Sequence, residues 1–70
     1  MNDNQTLGDA LPAEMARVRT ILGYYKEIGP AGSFGTAMIE QSLRVADDAV
    51  MGGDIVEMVR AYKALKEIEA

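Results

Sequence analysis

The chain has no cysteine, no histidine and no tryptophan, and each absence closes a route. Without cysteine there is neither a disulfide nor a thiolate nucleophile, and without cysteine or histidine there is no ordinary zinc site. Without histidine there is no imidazole to shuttle protons at neutral pH and no ordinary triad. Asp47 and Asp48 are adjacent carboxylates, but neighbours on a helix diverge by about 100° and cannot share one substrate. The inventory therefore points away from an enzyme, and no residue set is read as holding a metal or a cofactor.

Positive charge is also scarce. Seven Lys and Arg face eleven Asp and Glu, for a net charge of −4. With no basic run to neutralise phosphates, neither a nucleic acid nor an anionic membrane surface is expected as a partner. No apolar run approaches the ~20 residues of a membrane span, and no charged-then-apolar leader stands at the start. The cytoplasm is the default expectation on these grounds.

What is present is ordinary for a folded domain: 49% hydrophobic and 26% charged residues in 70. That length allows one domain, and a chain so short buries only about 60% of its unfolded surface. Oligomerisation or very regular helix packing must supply the missing stability.

Residues 1–10 are mostly polar and read as a disordered arm, with a single helical domain over 11–70. A first helix is expected from near Pro12, whose fixed φ and missing N–H suit a first helical position, with Asp9 as a possible cap. Leu11, Met15, Val18, Leu22 and Tyr25 recur at spacings of four and three, and Ile21 and Ile28 widen that stripe. Gly29-Pro30 stops the helix. The stretch to Gly35 has two readings: a loop with Ser33 capping the next helix, or Gly29 as cap and Pro30 as the first residue of that helix. The second is preferred, because Gly32 and Gly35 at i,i+3 would let two backbones approach closely.

The second helix is expected to run to about Met51, with Ile39, Leu43, Ala46 and Val50 inward and Phe34, Met38, Val45 and Ala49 beside them. Glu40–Arg44 and Arg44–Asp48 are i,i+4 pairs. Gly52-Gly53 breaks it; Asp54 caps a third helix, with Glu57 placed as in a capping box. Ile55, Met58, Val59, Tyr62, Leu65 and Ile68 are assigned to its inner face. The predicted fold is all-α, an antiparallel helical hairpin or three-helix arrangement completed by homodimerisation.

Apolar positions on the second helix cover more than one face, which exceeds what a lone hairpin can bury. Tyr24 is rotated about 100° from the core stripe and reaches its rim. Tyr24, Phe34, Met38, Ile39 and Arg44 are accordingly the candidate residues for a partner or dimer interface. Arg17, Arg19, Lys26 and Arg44 are the components of a possible basic patch. The glycines near position 32 could present N–H groups to an anion, with Lys26 and Arg44 as counter-charges, although the spacing is that of no phosphate-binding motif. A protein that sequesters an anionic small molecule is thus one alternative, and an accessory or structural subunit of a larger complex another.

Residues 53–68, GDIVEMVRAYKALKEI, resemble the second helix of a tetratricopeptide repeat, but Met58 stands where that repeat wants alanine, and the chain cannot hold three repeats. The whole layout resembles a different group. A polar arm, a helix ending YYKEIGPAG, and FGTAMIEQSLRVADDAVMGGD before a short helix are similar to small early proteins of Mu-like phages, most of all the quorum-sensing anti-activators. That resemblance, over about Ala13 to Glu69, implies a helical, homodimeric inhibitor that binds a host protein: a LuxR-type transcription regulator, the type IV pilus assembly ATPase, or both. No individual functional residue is carried over from it.

Overall fold

A computed structural model describes residues 6–69. It contains three α-helices, α1 (Leu7–Ile28), α2 (Ser33–Gly52) and α3 (Ile55–Lys66), with a 3-10 turn at Gly29–Gly32. The described residues contain no strand, and each helix packs against the other two.

α1 begins at Leu7, earlier than the Pro12 start expected from the sequence. The first turn closes on Thr6, whose carbonyl accepts from the N–H of Asp9 at 3.0 Å and of Ala10 at 2.7 Å. Asp9 lies inside that turn, where a carboxylate favours the positive helix end. Pro12 therefore stands within the helix and forgoes one backbone bond, to the carbonyl of exposed Gly8, which water can satisfy. Of the arm expected over residues 1–10, Leu7–Ala10 are helical, and Leu7 packs on the core; residues 1–5 lie outside the described residues.

The turn joining α1 to α2 follows the preferred reading. Gly29 ends α1 at φ 80°, and Pro30 opens a helical turn that runs into α2. Ser33 caps nothing; it lies in helical conformation as the first residue of α2. A Cβ on Gly32 would stand 2.6 Å from the Tyr25 carbonyl oxygen, and one on Gly35 would stand 2.6 Å from Tyr25 Cδ2. Side chains at those two positions would push the helices apart.

The second corner is closed by local bonds. Gly53 takes the left-handed conformation at φ 68°, its N–H reaching the carbonyls of Ala49 and Val50. Asp54 caps α3, its Oδ1 accepting from the N–H of Val56 at 3.0 Å and of Glu57 at 3.3 Å. The Glu57 side chain pairs with Arg60 at 3.9 Å.

The core consists of Leu11, Met15, Val18 and Ile21 from α1, Ile39, Leu43, Ala46 and Ala49 from α2, and Met58, Ala61 and Leu65 from α3. Leu22, Tyr25, Tyr62 and Ile68 are partly buried against it, and three residues expected inward on α2 and α3 are exposed. Val50 yields to Ala49 and Val59 yields to Ala61, while Ile55, the first residue of α3, is 63% exposed. For Val50 and Val59 a small alanine occupies the inner line, which allows close helix approach, and the β-branched neighbour turns outward. Ile28, expected to widen the α1 stripe, is 58% exposed at the helix end.

Candidate functional site

The features that stand out chemically are apolar side chains left in water. Ten large hydrophobic residues are exposed among those described, and most of them fall into two groups at opposite ends of α2.

The first group surrounds the Gly29–Gly32 turn. Tyr24 and Ile28 lie one turn apart on α1, and Phe34 and Met38 lie one turn apart on α2, so each pair shares a face of its helix. Phe34 is the most open of the four, at 77%. Met38 also walls a groove of about 460 Å³ floored by Tyr25, Gly35 and Ile39 and closed on the far side by Ala64 and Ile68. Glu67 and Glu69 stand at the edge of that groove, and neither takes part in an ion pair among the described residues. Gly35 shapes the groove, because the Tyr25 ring rests where a side chain at that position would be.

Of the candidate interface residues, Tyr24, Phe34 and Met38 are exposed around this turn. Ile39 is 4% exposed and belongs to the core, meeting the surface only as part of the groove floor. Met38 is rotated about 100° from Ile39 and lies at the rim, exposed while also walling the groove. Arg44 is exposed but lies about 120° round α2 from Met38, where its Nη2 donates to Gln41 Oε1 at 3.2 Å.

The basic residues do not gather into a patch, because each finds its own neighbour. Arg19 lies 3.8 Å from Asp47, and Lys26 lies 3.4 Å from Glu40; Glu40 thus pairs across helices rather than with Arg44. Arg17 has a role not apparent from its outward position in the pattern. Its Nη1 and Nη2 donate to the carbonyls of Ile68 and Leu65, both at 2.9 Å, while Nε donates to Glu14 at 3.0 Å. One guanidinium thereby ties α1 to the end of α3, sharing the Leu65 carbonyl with the N–H of Ile68.

The glycine turn borders a second depression, lined in part by Lys26, Ser33 and Glu40. The Glu40 carboxylate there already holds Lys26, and Arg44 is not in the lining. Among the described residues no group of carboxylates comes together that could hold a metal ion, and no helix is long and apolar enough to cross a membrane.

The second exposed group, Val50, Met51, Ile55, Val56 and Val59, lies at the corner between α2 and α3. The sequence pattern assigned Val50, Ile55 and Val59 to the core. The signal that could have separated Val50 and Val59 is the buried alanine one or two positions away, Ala49 and Ala61, while Ile55 has no such neighbour.

No protein-family model, no curated protein and no solved structure matches this chain.

Proposed function

We propose that the protein acts by stoichiometric binding, as a small helical homodimer that covers a surface of a larger host protein. The observation that carries this reading is the apolar rim of Tyr24, Ile28, Phe34 and Met38 beside the groove at the α1–α2 turn. Four large apolar side chains held in water at one end of so small a protein are unfavourable unless something covers them. The groove suits an amphipathic segment that brings apolar anchors to Met38 and Tyr25 and a basic residue to Glu67 and Glu69. Its rim is of the kind that supplies binding hot spots: aromatic and methionine side chains around a depression.

The likeness in layout to the quorum-sensing anti-activators of Mu-like phages names the first partners to try: a LuxR-type transcription regulator and the type IV pilus assembly ATPase. The test is direct titration of each purified candidate against the immobilised chain. The reading expects saturable binding near one chain per partner chain, lost in Phe34→Glu with helicity retained by circular dichroism. Binding that survives both Phe34→Glu and Met38→Glu would remove this end of the molecule from the interface. No binding to either candidate would remove them as targets.

A further inference from the structure

We propose that a second copy of this chain covers the outer face of α3, the two α3 helices lying antiparallel across a two-fold axis. The inference rests on the homodimer reading above and assigns the dimer its seam. α3 buries Met58, Ala61 and Leu65, and leaves Ile55 at 63% and Val56 at 59% exposed beside Met51 at 85%. Val56, Val59, Lys63 and Lys66 follow one another at spacings of three, four and three, so they form a single stripe down the outside of the helix. The first half of that stripe is apolar and the second half cationic.

Carboxylates gather at the other end. Asp48, Asp54 and Glu57 line a depression of about 200 Å³ floored by Val45 and Ala49, next to the C-terminal end of α2, where unpaired carbonyls add partial negative charge. A two-fold interface has to be complementary to itself. A helix that starts beside an acidic depression, continues apolar and ends cationic meets that condition only when reversed onto its own copy. Laid parallel, Lys63 would face Lys63. Laid antiparallel with Val56 of one chain on Val59 of the other, the symmetry repeats the apolar contact. The same register carries each Lys63 to the Gly52–Asp54 corner opposite. The aromatic rim at the α1–α2 turn stays outside this seam and remains open to another protein.

The oligomeric state of the full chain, followed by sedimentation equilibrium from nanomolar to high micromolar concentration, tests the assignment. The wild type is expected to be a dimer, and Val59→Glu to raise its dissociation constant about a hundredfold, because the interface would then bury an unpaired charge. Lys63→Glu and Asp48→Lys are expected to weaken the dimer several-fold each, and the double variant to recover most of the loss. Both sites are exposed, so this cycle reads the seam even if Val59→Glu fails to fold. A dimer unaffected by Val59→Glu, or one broken by Phe34→Glu instead, overturns the seam and leaves the homodimer standing. Additive single losses with no recovery overturn the antiparallel register. A wild type that is monomeric throughout overturns the seam and the homodimer together.

Discussion

Both turns that connect the three helices are rich in glycine, yet they are held by different means. At the corner between α2 and α3 the hold is local: Gly53 has positive φ, and Asp54 accepts N–H groups two and three residues ahead. At the turn between α1 and α2 Gly29 likewise ends its helix at positive φ, but the close approach that follows at Gly32 is tertiary. Gly32 has φ −96°, a value any residue adopts, and glycine is required there only because the Tyr25 carbonyl occupies the place of its Cβ. The difference teaches that a glycine can serve conformation or proximity, and that substitution separates the two uses.

The largest effect is expected at Gly32. Gly32→Ala places a methyl 2.6 Å from a backbone oxygen, and backbone, unlike a side chain, cannot rotate away. A loss of about 2–3 kcal/mol in urea unfolding is expected, from the upper part of the overpacking range. Because folding and association would be coupled in the proposed dimer, all variants are compared at one protein concentration. Gly53→Ala comes next. Nothing lies within 4 Å of its added Cβ, so its cost is conformational alone, about 1–2 kcal/mol for a left-handed L-residue. Gly53→Asn should recover part of that loss, whereas Gly32→Asn should recover none. If the two asparagine variants behave alike, the distinction between conformation and proximity fails.

Asp54→Ala removes a cap that accepts two N–H groups and should cost about 1 kcal/mol, with most of it retained by Asp54→Ser. A loss well below that would mean that α3 is held in place by packing and by Arg17 at its far end, and that the cap is dispensable.

These contrasts also mark how far the sequence could be read. The α2–α3 corner was legible because its chemistry lies within a few adjacent residues: a glycine pair, then Asp54, then a helix. The α1 stripe was legible through Leu11, Met15 and Val18, whose spacing the structure follows. The phase of α3 was legible through Met58 and Leu65 but not at Val59, a stronger hydrophobe than Ala61, where only the closeness of the neighbouring helices makes alanine the inner residue. The Arg17 clamp spans 48 and 51 residues of sequence, a distance over which no local pattern carries information. At the candidate surface, surplus apolar residues on α2 were visible as a surplus. The inward stripe through Ile39, Leu43 and Ala46 already placed Met38 beside the core, which is where the structure has it.

The smallest effect, and the only favourable one, is expected at Gly23. It lies in the interior of α1 between Leu22 and Tyr24, exposed, without a positive φ and with nothing within 4 Å of an added Cβ. Neither reason for glycine applies there. Gly23→Ala should therefore stabilise the protein by about 0.5–1 kcal/mol, through better helix propensity and a more restricted unfolded chain. The same substitution would then carry opposite signs at Gly23 and Gly32, nine positions apart in one short protein. Should Gly23→Ala destabilise instead, something not visible in the single chain must approach α1 at that point. The exposed Tyr24 beside it would make the partner-binding rim the first place to look, and repeating the measurement over a range of protein concentrations would distinguish the two cases. A second copy at that point would make the loss grow with concentration; an intrinsic helix effect would leave it constant.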